Sequence, residues 1–214
     1  FTQQNNAQSG KTLNILIDTL PTTVNTSEGV FEPETDYRAG IAFELAVQGV
    51  KDLTPEIVEQ LMDIFYPDGI PENVTGAWEA MIWFYRCGND QTEPDDKPKS
   101  NKRAYAFDVD AETIYADFWR YYNIDLSKER LHWWKFRALL LGLPEDSAFK
   151  ERIYYRTCDL KGLPKKEKER ICKIRKQIEI KDETGVKTTL EERNNKMIAY
   201  VKKRSTEAKR EVKT

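Results

Sequence analysis

Histidine is nearly missing from this chain: His132 is the single one in 214 residues. A zinc site built on histidines needs more than one. A Ser-His-Asp or Cys-His centre would have to use His132 itself, and its neighbours Trp133, Trp134 and Phe136 read as a packing face. Cysteine is scarce and odd in number, with Cys87, Cys158 and Cys172 and no C-x-x-C spacing. That excludes a disulfide scaffold and fits free thiols in a reducing compartment. No apolar run approaches the roughly 20 residues that cross a bilayer. The phosphate-loop, dinucleotide, nucleophile-elbow and H-E-x-x-H patterns are all absent. Asp108-Val109-Asp110-Ala111-Glu112 starts like a calcium loop, but Thr113 stands where the loop needs glycine and Trp119 where it needs glutamate. The expectation is a protein with no catalytic residue, no metal and no cofactor.

What is present is charge and aromatic mass. Asp, Glu, Lys and Arg make up 33% of the chain, and the formal net charge is only -2. That balance hides an asymmetry. Residues 1–149 carry 13 basic and 25 acidic side chains, and residues 150–214 carry 21 and 11. An acidic body with a basic tail can pair with itself, with another copy or with an external acidic surface.

Patterning points to a mainly α protein: a multi-helix bundle, a small N-terminal β-hairpin and a charged helical C-terminal extension. Residues 1–12 are polar and read as disordered or tag-like. Residues 13–20 are apolar and lean towards strand. Two short β-leaning runs flank Ser27-Glu28-Gly29, which is a hairpin signal. From Asp36 the period becomes helical. Thr54-Pro55-Glu56 supplies an N-cap, a first-turn proline and an acid at the positive helix end. Pro71-Glu72 reads as the start of the next helix and Gly88 as its stop. Residues 13–88 thus form a hairpin plus a helical half. Residues 89–104 contain two prolines and little that can be buried, and read as a mobile linker.

Residues 105–163 form a second, aromatic-rich helical half. Within 125–144, Ser127 reads as N-cap with Leu126 and Leu131 as a hydrophobic staple, and Leu131, Trp134, Ala138 and Leu141 as the buried stripe. Residues 164–214 are the basic extension. Ile171, Ile174 and Ile178 give it one thin apolar stripe. Thr189 to Glu192 fits a capping box, with Met197, Ile198 and Val201 behind it. Such stripes suit docking on the body or on a partner.

The chain has 24 aromatic residues. Core packing takes most of them. The adjacent pairs Tyr121-Tyr122, Trp133-Trp134 and Tyr154-Tyr155 cannot all point inward from one helix face, so some should be half exposed, as interface anchors are. The candidate partner-binding residues are Trp133, bordered by Lys135 and Arg137, together with Trp119, Tyr121 and Tyr155.

One stretch carries a resemblance. Ile114-Tyr115-Ala116-Asp117-Phe118, Tyr122, Ile124-Asp125-Leu126 and Leu131-His132-Trp133-Trp134-Lys135-Phe136, with Leu139-Leu140 and Gly142-Leu143, resemble a family of tailed-bacteriophage proteins. Ile15-Leu16-Ile17-Asp18, Thr35-Asp36-Tyr37-Arg38 and Ile82-Trp83-Phe84-Tyr85 are similar as well. That family is encoded just ahead of the tape-measure gene in long-tailed phages and prophages of Gram-positive bacteria. The resemblance implies a largely helical, non-enzymatic tail assembly chaperone. Such a protein binds the tape-measure protein in the host cytoplasm, keeps it soluble and is absent from the mature virion. Other tail proteins or a second copy are further partners it allows. It implies no catalytic motif.

Two other readings stand beside it: a nucleic-acid-associated phage protein using the basic tail, and a minor virion structural protein. The tail holds no aromatic residue from Lys165 onward except Tyr200, so base stacking has little support there.

Overall fold

The computed structural model describes residues 13–26, 29–49, 54–89 and 103–181. These residues fall into two compact units, one within 13–89 and one within 103–181. Among them are seven helices and one two-stranded antiparallel sheet. The chain is mainly α, as the periodicity predicts. The linker expected at 89–104 and the second tail stripe lie, but for a few residues, outside the described residues.

In the first unit, β1 (Val24–Thr26) pairs with β2 (Gly29–Phe31), with Val24 opposite Phe31. The preceding residues 15–17 turn rather than extend. Asn14 organises the turn: its carbonyl accepts from the Ile17 and Asp18 N–H groups and its side chain accepts from Leu16 N–H. The short Asn and Asp side chains offer the backbone this local alternative to a strand. Helix α1 (Tyr37–Gly49) and α2 (Pro55–Asp63) follow. Thr54 caps α2 as expected, accepting from Ile57 N–H.

The third helix, α3 (Val74–Tyr85), starts later than Pro71 suggests. Asn73 is its N-cap and accepts from Gly76 N–H at 3.2 Å. Pro71 is buried just before it instead. Gly88 ends the segment with φ +74°, its N–H reaching the Trp83 carbonyl. Only glycine takes that conformation without cost.

The core of this unit is aromatic. Phe43 meets Phe65, Trp78 and Tyr85 with ring centroids 5.4, 6.2 and 4.9 Å away. Two buried polar groups are bonded, as burial requires. Tyr85 Oη donates to Glu44 Oε2 at 2.8 Å, and Tyr66 Oη donates to the Ala77 carbonyl at 2.7 Å. Burial pushes the Tyr66 phenol above its ordinary pKa.

The second unit is built on α4 (Phe107–Tyr122). Asp108 and Asp110 lie in its first turn, and Asn123 closes it at φ +54°, a conformation that asparagine tolerates. Helix α5 (Trp133–Leu141) begins six residues after Ser127. His132 is its cap, with Nδ1 accepting from Trp134 N–H at 3.1 Å. Ser127 instead donates its hydroxyl and its N–H to Asp125 Oδ1. Asp125 thus pins a turn where the sequence suggests a helix start. Ser147 caps α6 (Ala148–Thr157), its hydroxyl accepting from Lys150 N–H, and α7 (Lys165–Gln177) follows Gly162 and Pro164.

Phe118, Phe136, Trp133, Leu140 and Phe149 fill this second core. Phe136 stacks on Phe118 at 5.2 Å and on Trp133 at 5.9 Å. The buried stripe of α5 is therefore Trp133, Phe136 and Leu140. Of the expected stripe, Trp134 is buried as expected, whereas Ala138 and Leu141 face solvent and Leu131 is half-buried.

Beside that core, Asp110 is fully buried and accepts from both terminal guanidinium nitrogens of Arg156, at 2.6 and 2.9 Å. The Asp117 carboxylate accepts from Phe149 N–H at 2.8 Å, satisfying one free donor at the start of α6. Helix α7 belongs to this unit. Ile171 is buried, Arg175 donates to the Tyr155 and Cys158 carbonyls, and Arg156 Nε donates to the Ile178 carbonyl. The boundary drawn at 163 by charge falls inside this packed unit, because one buried isoleucine and two arginines suffice to seat a helix that is otherwise charged.

Candidate partner-binding surface

Of the candidate residues, Trp119 is the one that offers a large exposed aromatic surface. It is 50% exposed on α4. At helical spacing it shares a face with Asp108, Glu112 and Tyr115, at i, i+4, i+7 and i+11, and all four are exposed. Tyr115 is held in place: its hydroxyl donates to Asp125 Oδ1 at 3.0 Å. Asp125 also accepts from Ser127 and pairs with Lys128 at 3.1 Å. The Ser127 hydrogen bond is the main cause that brings the Asp125 carboxyl down to about 2, with smaller help from Lys128 and Tyr115. The anchor of Tyr115 is thus ionised at any pH near neutrality.

The face stands on a stiff support. Its helix is fixed to α6 by the Asp110–Arg156 pair and the Asp117 cap. Arg152 adds a third donor to Asp110 at 3.0 Å. Burial raises the Asp110 pKa, but Arg156, the Ala106 N–H and Arg152 together outweigh it and leave the group below its ordinary value. Trp119 and Tyr115 therefore present apolar area from a helix that need not reorganise on binding, which lowers the ordering cost of association.

The other candidates sit differently. Trp133 is fully buried and Trp134 only 5% exposed, so the expectation of an exposed Trp133 is corrected. Trp133 packs into the core on Phe136, and Trp134 lies under the His132 ring, with centroids 6.1 Å apart. Arg137 covers the Trp133 ring at 5.5 Å, half-buried itself, so it closes the core rather than bordering a binding patch. Lys135 is exposed without an exposed tryptophan beside it in sequence.

Tyr121 is half-buried under Arg120, and its hydroxyl is buried without a hydrogen bond. Tyr155 helps to seat α7, its hydroxyl accepting from Arg170 at 3.4 Å and its carbonyl from Arg175. The adjacent Tyr154 carries the exposure of that pair, its ring edge-on to Tyr155 at 5.4 Å. Tyr115 and Tyr154 are the exposed aromatics that the site reading misses.

Among the described residues, no group of three His, Cys, Asp or Glu side chains could hold a metal ion, and no helix is long and apolar enough to cross a membrane.

Residues 16–180 match the family described as Bacteriophage Gp15 protein. The match covers well over half of the chain, and the chain belongs to that family. No curated protein and no solved structure matches it.

Proposed function

We propose that this member of the bacteriophage Gp15 family is a non-enzymatic tail assembly chaperone. It binds the tape-measure protein in the host cytoplasm, keeps it soluble while the tail is built, and is left out of the finished virion. Membership in a phage family supports the phage setting. The likeness to proteins encoded ahead of the tape-measure gene supports the client.

The observation that carries a binding role is the exposed aromatic face of α4. Trp119 and Tyr115 are large, rigid side chains of the kind that dominate interface energetics. They are flanked by the exposed carboxylates of Asp108 and Glu112. An apolar helical stripe with basic flanks is the complement of that face.

The test is co-expression in bacteria with the long reading frame downstream. The client should be soluble with this protein and aggregated without it. A client equally soluble alone would remove the chaperone role. The nucleic-acid reading has its own signature: tight binding that weakens steeply with salt and is lost when residues 165–214 are removed. Weak or no binding at about physiological salt is expected instead.

A further inference from the structure

Helix α1 is apolar almost all round. After Arg38 its only charge is Glu44, which is buried and accepts from Tyr85. Its inner face is the buried set Tyr37, Ala39, Phe43 and Val47. Its outer face opens on the exposed Arg38 and continues through Ile41, Ala42, Leu45 and Ala46; Ala42 and Leu45 are exposed, Leu45 by 37%, and Ile41 and Ala46 are half-buried. A surface helix ordinarily turns charge to water along its whole length, and one whose outer side is apolar past its first turn is ordinarily covered. The described residues leave this face uncovered.

We propose that residues 189–204 of the same chain cover the outer face of α1. Three features select this occupant. It carries the chain's remaining apolar stripe: Leu190, Met197, Ile198 and Val201 recur at i, i+7, i+8 and i+11, behind the capping box of Thr189 and Glu192. The lengths agree. Thirteen residues of α1 rise about 20 Å, and a helical stripe from Leu190 to Val201 rises about 17 Å. The charges also agree. Residues 13–89 hold 3 basic and 13 acidic side chains, whereas residues 182–214 hold 9 basic and 6 acidic, with Lys202-Lys203-Arg204 directly behind the stripe. This inference stands apart from the chaperone reading and does not depend on it.

Amide hydrogen exchange on the full-length protein tests it. In the full chain the amides of residues 41–47 should be protected. Removing residues 187–214 should speed their exchange at least about tenfold and leave those of α4 unchanged. A synthetic peptide of residues 187–204 should restore the protection. A full-length variant with Ile198→Glu and Val201→Glu alters only the occupant and should reproduce the loss. Protection that does not vary with protein concentration supports docking within one chain. Unchanged exchange at 41–47 in both the truncated and the double-substituted protein would overturn the proposal. Protection that falls on dilution would also overturn it, in favour of a second copy supplying the segment.

Discussion

Asp110 and Arg156 form a fully buried two-pronged ion pair, 46 residues apart in sequence, that ties α4 to α6. Both partners are needed. Asp110→Asn leaves the guanidinium without its counter-charge, and Arg156→Met leaves a buried carboxylate with only Arg152 and the Ala106 N–H. Removing one partner of such a pair costs about 3–5 kcal/mol. Chemical denaturation of each variant should show a loss of that order, and the double variant should lose less than the sum. Additive losses would mean that the two groups act independently.

The same pair sets an acid limit. Arg156 and its neighbours hold the Asp110 pKa below its ordinary value despite burial. A carboxyl whose folded pKa lies below its unfolded one stabilises the fold above the unfolded value, near pH 3.9. That contribution is lost as pH falls through the lower, folded value. The stability difference between the native chain and Asp110→Asn should therefore be flat from about pH 5 to 7 and shrink below about pH 4. Urea titrations at several pH values read this directly, and a difference that grows on acidification would reverse the assignment.

Arg175 holds α7 by its C-terminal half. It donates to the Tyr155 and Cys158 carbonyls at the end of α6, while Arg156 returns a bond to the Ile178 carbonyl. Hydrogen bonds from charged groups contribute about 1.5–3 kcal/mol. Arg175→Ala should release α7 locally, so that trypsin cleaves between Lys165 and Lys176 well before it cuts α4. Cleavage at the native rate would show that Ile171 alone seats the helix.

The two tryptophan classes should separate in a melting experiment. Trp133→Ala empties the centre of the second core and should cost about 3–5 kcal/mol. Trp119→Ala removes a half-exposed ring and should stay within about 0.5 kcal/mol of the native chain. Equal losses would place Trp119 in the core.

Local chemistry made much of this fold readable. Thr54 caps the helix it announces, and the Gly29 hairpin lies where its turn residues indicate. The second half shows where local rules stop. Both Leu131/Trp134/Ala138/Leu141 and Trp133/Phe136/Leu140 fit a helical period within 131–141. The choice between them is made by Phe107 and Phe118, which meet Phe136 from another helix. Ser127 looked like a cap because nothing nearby in sequence reveals that Asp125 takes its hydroxyl. Trp119 was legible as a site residue and Tyr115 was not, since its exposure follows from which side of α4 the other helices occupy.

Under the proposed function the α4 aromatic face holds the client. The most direct measurement is co-purification of tape-measure fragments with the native chain and with the Trp119→Ala, Tyr115→Ala double variant. Its melting temperature should be unchanged, while recovery of the fragments should fall at least about tenfold. A double variant that stays folded and retains the fragments at native levels would contradict the claim.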